Sequence, residues 1–138
     1  MNKLLPLKRL KMCTAARALV HESQYIHYEK MNNPYSAGTA DGWYSGNAGD
    51  LWVEYKNLPR IPQRGIVDPM KLLSALQADW LTGRYDEGRN VAVIIGCPSG
   101  GVLLRDRLWE SSMTAKEYVC LLRTRQGLAA WIKEQTTR

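Results

Sequence analysis

The chain has 138 residues, 45% of them hydrophobic and 23% charged, which predicts one globular domain large enough to bury a core without a metal or disulfide staple. No run of 18 or more apolar residues occurs, and the apolar start over residues 1–5 is too short for a signal-peptide core, so we expect a cytoplasmic protein without a membrane span. Cys13, Cys97 and Cys120 are odd in number and lack CxxC spacing, which argues against a disulfide framework or a thiolate zinc site and predicts three small core residues.

The charge balance favours an anionic partner. The formal net charge is +6, and residues 1–13 carry only positive charges, since the first acid in the chain is Glu22. This basic N-terminal arm is either simply solvated or contacts phosphate groups through Lys8, Arg9 and Lys11.

The first half of the chain predicts a helix followed by three strands. Thr14 can cap a helix over residues 15–23, and residues 24–31 are prone to form a strand. Two further short runs, 40–45 and 51–57, are joined by a Gly-Asn-Ala-Gly loop and predict an antiparallel hairpin. In the second run, strand alternation places Trp52, Glu54 and Lys56 on one face and the intervening apolar residues on the other.

The second half predicts a helix, a buried strand and further helices. Residues 58–67 form a loop that carries Arg60 and Arg64, after which a helix begins at Asp68 or Ser74 and runs to about residue 85. The β-branched run 91–95 predicts a strand buried on both faces, and residues 102–104 predict an edge strand. Helices over 115–123 and 125–135 complete a mixed α/β sheet domain with the order α-β-β-β-α-β and appended helices.

The hairpin brings two acids together. Asp41 and Glu54 are 13 residues apart, but cross-strand neighbours lie roughly 4.5–5.5 Å apart, so the two carboxylates can form a hard oxygen site. Magnesium prefers such a site, completed by waters and substrate phosphate oxygens. Lys56 shares the face of Glu54 and can orient or deprotonate an attacking water and offset charge in the transition state.

These features together resemble the PD-(D/E)XK nuclease superfamily, and more specifically its small phage and VRR-type branches. The resemblance lies in residues 38–44 (GTADGWY), 50–56 (DLWVEYK), 76–81 (LQADWL) and 91–96 (VAVIIG). It covers residues 14–97 and implies a restriction-endonuclease-like core, with residues 1–13 as the arm and 98–138 as a C-terminal extension of one nuclease domain.

The resemblance implies a role for each motif residue. Asp41 and Glu54 would bind Mg²⁺, for which Mn²⁺ would substitute, and Lys56 would act at the attacking water. Glu22 resembles an additional acid of the first helix that is also a metal ligand and catalytic residue, although it is equally explained as a surface acid. Gln77 resembles a catalytic glutamine, although a helix capping box explains it equally well.

Some motif positions have rivals or depart from the pattern. Glu29 is a substitute for Glu22, and Asp50 is a rival of Asp41 that we interpret as a turn residue at the start of a strand. The residue before the motif aspartate is Ala40 where the family usually has proline, whose role there is to set the backbone. The two histidines lack metal-ligand spacing and are interpreted as surface or packing residues.

The resemblance implies a metal-dependent nuclease that hydrolyses DNA phosphodiester bonds, encoded by a phage and acting in DNA processing, recombination or degradation. The predicted phosphate contacts are Lys8, Arg9, Lys11, Arg60, Arg64 and Arg84. A duplex with two scissile strands would favour a homodimer. The alternatives are a non-catalytic nucleic-acid-binding module and an accessory phage protein that retains the fold. Trp43, Tyr44, Trp52 and Trp80 either stack on bases or belong to the core, and the core is the more common place for such residues.

Overall fold

The computed structural model describes residues 26–31 and 37–138. A five-stranded mixed sheet lies at its centre, in the spatial order β1-β2-β3-β5-β6. Its strands are β1 (His27–Lys30), β2 (Gly42–Ser45), β3 (Asp50–Asn57), β5 (Val91–Cys97) and β6 (Gly100–Leu104). Two further strands, β4 (Ile66–Val67) and β7 (Met113–Thr114), pair with each other as a small separate sheet. The helices are α1 (Pro69–Leu72), α2 (Ala75–Asp86), α3 (Ala115–Leu121) and α4 (Arg125–Thr136), with a 3-10 turn at Leu108–Glu110.

The predicted antiparallel hairpin forms, but β2 begins at Gly42, so that residues 40 and 41 of the predicted run 40–45 precede the strand. Its register pairs Gly42 with Val53 and Ser45 with Asp50, and the N–H of Gly46 donates to the carbonyl of Gly49 at 3.0 Å across the loop. Because side chains alternate along β3, one set faces a core with α4, and Trp52, Glu54 and Lys56 occupy the other face.

A helical crossover joins β3 to the parallel strand β5. Asp68 caps α1 with Pro69 at its first position, and Ser74 and Gln77 form the capping box that begins α2. Gly88, with φ of +80°, follows the end of α2 and turns the chain into β5. Both predicted helix starts are therefore used, each for its own helix.

The sheet is covered on both faces, so β5 is buried along its whole length. One core, on the α4 side, contains Leu51, Val53 and Tyr55 of β3. The other contains Leu81 of α2 and Tyr118 of α3. The second core lies on the face of β3 that carries Glu54, and it packs Trp80 of α2 against Trp52 of that face.

The structure differs from the predictions for the loop 58–67 and for Cys120. The last two residues of the predicted loop 58–67 form β4, because Val67 pairs with Met113 far along the chain. Cys120 is exposed on α3 and is not a core residue, whereas Cys97 is buried as predicted. The predicted helix 15–23 and Cys13 lie outside the described residues. Within residues 26–31 and 37–138, no helix is long and apolar enough to cross a membrane.

Candidate active site

Asp41 lies one residue before β2 and contacts Glu54 of β3. The backbone N–H of Asp41 donates to Oε2 of Glu54 at 3.2 Å, and the backbone N–H of Tyr55 donates to Oδ2 of Asp41 at 3.0 Å. The carboxylate of each residue thus accepts a backbone hydrogen bond from the other arm of the hairpin. This reciprocal arrangement holds the two acids side by side, as the hairpin predicts.

Lys56 completes a three-residue cluster on the same face of β3. Its Nζ lies 3.6 Å from Oε1 of Glu54. The Glu54 side chain is 1% exposed, whereas that of Lys56 is 24% exposed. The cluster therefore has a buried anionic centre and a cation that reaches toward solvent.

Burial sets the electrostatics of this cluster. The pKa of Glu54 is raised from 4.5 to about 8, first because the carboxyl is removed from water and second because the negative charge of Asp41 lies close by. The ammonium of Lys56 and the hydrogen bond from Asp41 act in the opposite direction but do not balance these effects. An additional positive charge at the site would favour the ionised carboxylate.

A divalent cation fits this donor set. Two adjacent carboxylates, one buried and one partly buried, match the hard oxygen ligands of magnesium. Among the described residues, no group of three or more His, Cys, Asp or Glu side chains could hold a metal ion by itself. The Asp41 and Glu54 pair would therefore need water or substrate oxygens to complete the coordination of the ion.

Gln77 lies at the start of α2, close to the loop that leads into Asp41. Its Oε1 accepts from the N–H of Ser74 at 3.0 Å, which accounts for the side chain by helix capping. Gly38, with φ of +85°, presses against this helix start, where an added Cβ would lie 2.4 Å from the carbonyl oxygen of Leu76. The close approach joins the start of α2 to the segment three residues before Asp41, and the catalytic role of Gln77 stays a prediction.

Two other acids considered in the sequence, Glu29 and Asp50, are not gathered into the cluster. Glu29 is exposed on β1, opposite Trp43, and its carboxylate contacts Nε2 of His27 at 3.0 Å. Asp50 begins β3 and accepts from Oγ of Ser45 at 2.7 Å, in agreement with its interpretation as a turn residue. Glu22 lies outside the described residues.

The predicted basic residues occupy different places. Arg60 and Arg64 are exposed on the loop that follows β3, the strand that carries Lys56. Arg84, in the last turn of α2, pairs with Glu87 at 2.9 Å. Lys8, Arg9 and Lys11 lie outside the described residues.

Three of the five tryptophans form a row of rings that runs from β2 across β3 to α2. Trp43 stacks on Trp52 with ring centroids 5.8 Å apart, and Trp52 meets the edge of Trp80 on α2 at 5.6 Å. These three rings are partly buried, whereas Tyr44 is fully buried in the core on the other face.

A cleft of about 680 Å³ opens beside Trp52 and Trp80. Its walls include Thr39, Trp52, Trp80, Arg84, Arg89 and Asn90. Sequence reasoning missed Arg89 and Asn90. The signal was available, because residues just before β5 must lie beside Trp52 once β5 pairs in parallel with β3.

Comparisons with known proteins bear on the fold. No protein-family model matches the chain, and no curated protein matches it. A solved structure does: that of Archaeoglobus fulgidus Hjc, a Holliday junction resolvase from an archaeal hyperthermophile. It has a TM-score of 0.55 and 16% sequence identity, and the match covers 85% of this chain and 98% of the resolvase chain. The chain thus has the restriction-endonuclease-like fold of this resolvase, which confirms the predicted fold class.

Proposed function

We propose that this protein is a divalent-metal-dependent nuclease of the PD-(D/E)XK type that hydrolyses phosphodiester bonds in DNA. The observation that carries the proposal is the cluster of Asp41, Glu54 and Lys56, in which Glu54 is 1% exposed and linked to Asp41. A solvated sheet face would leave such acids in water. A buried acid held beside a second acid opposes folding, and such arrangements are typical of functional sites.

Asp41 and Glu54 would hold Mg²⁺ or Mn²⁺. When bound, the ion would lower the pKa of a coordinated water and offset the charge of the phosphate. Lys56 would orient the attacking water and stabilise the charge that develops on the phosphate oxygens. Its partial exposure supports this role, because a phosphate arriving from solvent would reach its ammonium before the buried Glu54.

The fold and charge support DNA as the substrate. The net charge is +6, and Arg60 and Arg64 lie exposed on the loop after the Lys56 strand, where they would contact the backbone. Because the protein with the same fold is named as a Holliday junction resolvase, we include branched DNA among the substrates. Cutting two strands of one junction would require two sites, which favours a homodimer.

The test is hydrolysis of supercoiled, linear duplex, single-stranded and four-way-junction DNA with Mg²⁺, with Mn²⁺ and with EDTA. The parent should cleave at least one substrate only when metal is present. Lys56→Ala should lose about 10²–10⁴-fold in rate, the usual contribution of a proton-transfer group. Lys133→Ala is the matched control, because Lys133 lies on α4, on the opposite face of the sheet.

Two results would overturn the proposal. Salt-sensitive DNA binding without cleavage of any substrate would assign a non-catalytic binding module. Cleavage that Lys56→Ala leaves unchanged would place the chemistry elsewhere.

A further inference from the structure

We propose that the cleft beside Trp52 and Trp80 binds one unpaired nucleotide of the strand being cut, so that the protein selects DNA whose bases are unpaired next to the scissile bond. This inference rests on the proposed nuclease function and extends it to substrate choice. It assigns a task to residues outside the Asp41, Glu54 and Lys56 cluster.

The cleft adjoins that cluster. Trp52 lies two residues before Glu54 on the same face of β3, about 7 Å along the strand. Thr39, which also lines the cleft, lies two residues before Asp41. A strand held at the cluster can therefore place an adjacent nucleotide in the cleft.

The walls of the cleft provide aromatic surface for a base. The rings of Trp52 and Trp80 lie 5.6 Å apart at an interplanar angle of 66°, and both are only partly buried. Aromatic side chains of this kind stack on bases of any sequence. The volume of about 680 Å³ lies within the roughly 300–1,000 Å³ typical of sites that enclose small ligands.

The same cleft provides cations for a phosphate. Arg84 and Arg89 line it together, and Arg89 is exposed. Glu87 is the ion-pair partner of Arg84, but that pair is exposed and therefore weak. Within the described part of the chain, Arg89 forms no ion pair. Asp50 also lines the cleft and would repel a phosphate, but the two arginines outnumber this single carboxylate.

The aromatic walls select against paired bases. In an intact duplex each base is covered on both faces by its neighbours, so that it cannot stack on a tryptophan without leaving the helix. Extracting a paired base costs unstacking and unpairing energy, whereas a base at a junction, flap or overhang is already available. Binding in this cleft should therefore favour DNA with an unpaired segment.

The test measures binding by Glu54→Gln protein in EDTA, with no cleavage, so that it is independent of catalytic activity. The probes are a blunt DNA duplex and the same duplex with a short single-stranded overhang. We expect tighter binding of the overhang probe, and Trp80→Leu in this background should weaken that binding roughly tenfold while leaving blunt-duplex binding unchanged.

Arg89→Gln tests the phosphate contact without disturbing the core. It should reduce the slope of log affinity against log salt concentration by about 0.7 for the overhang probe, the value for one single-strand phosphate contact. Lys133→Gln, on the opposite face of the sheet, is the charge-matched control and should leave overhang binding unchanged.

Equal affinity of the Glu54→Gln protein for the two probes would overturn the inference, as would an Arg89→Gln slope equal to that of the Lys133→Gln control. Metal-dependent cleavage by the parent together with either result would leave the nuclease function standing and refute only the cleft. Selective overhang binding by a parent that cleaves nothing would refute the nuclease function instead.

Discussion

The buried carboxyl of Glu54 predicts a specific pH dependence of stability. In the folded protein its pKa is about 8, against the ordinary value of 4.5 in the unfolded chain. Between these values the folded state holds a proton that the unfolded state has released. The free energy of unfolding therefore falls as pH rises through this window, by at most 1.4 kcal/mol for each unit of pH.

Glu54→Gln removes this dependence, because an amide has no proton to release and can still accept the hydrogen bond from Asp41. The free energy of unfolding of the variant should equal that of the parent near pH 4.5. It should exceed that of the parent increasingly as pH rises, because the parent loses stability. The difference should reach about 5 kcal/mol above pH 8, the full free energy that corresponds to a rise in pKa from 4.5 to about 8.

The assay is urea unfolding of both proteins from about pH 4.5 to 9. EDTA is present because a bound metal ion would favour the ionised carboxylate. Glu134→Gln is the matched control, because Glu134 is exposed on α4. Its difference from the parent should stay small at every pH. If the free energies of unfolding of Glu54→Gln and the parent differ by the same amount at every pH, the carboxyl of Glu54 does not have a raised pKa. A Glu54→Gln protein that is less stable than the parent at high pH would lead to the same conclusion.

Three further predictions concern the supports of the site. Gly38→Ala should lower the free energy of unfolding by about 1–3 kcal/mol, because Gly38 has a positive φ and lies against α2. Gly83→Ala, inside α2 and with open space around the added Cβ, should raise the free energy of unfolding by about 0.5–1 kcal/mol. Equal urea midpoints for the two variants would contradict this. Ser74→Ala should lower the free energy of unfolding in urea by about 1 kcal/mol, because the helix cap is lost. A larger fall in the cleavage rate in Gln77→Ala than in Ser74→Ala would assign Gln77 a catalytic role. Mg²⁺ at a hundred times its dissociation constant should stabilise the parent by about 2.7 kcal/mol in thermal unfolding, and an equal gain in Asp41→Asn would remove that residue from the metal site.

The local parts of the fold were predictable from short-range signals. The hairpin follows from the Gly-Asn-Ala-Gly loop between two alternating runs, and both capping residues, Asp68 and Ser74, begin helices. The face that carries Glu54 and Lys56 follows from strand alternation alone. These features depend on residues close together in the chain.

Other features depend on contacts between distant segments. Pairing of Ile66 with Thr114 has no local signature, because each strand is only two residues long. The 1% exposure of Glu54 depends on a core built from segments distant in the chain, which a charged strand position does not indicate. Cys120 was assigned to the core by residue type, but it lies on the exposed side of α3.

We propose that Asp41, Glu54 and Lys56 form a metal-dependent nuclease site. The most direct measurement compares the rate of four-way-junction cleavage in Mg²⁺ by the parent, by Glu54→Gln and by Glu134→Gln, with the linear, single-stranded and supercoiled substrates in parallel. The parent and Glu134→Gln should cleave the same substrate at similar rates, and Glu54→Gln, although folded, should not cleave it. Cleavage by Glu54→Gln at the rate of the parent would place the chemistry outside this cluster.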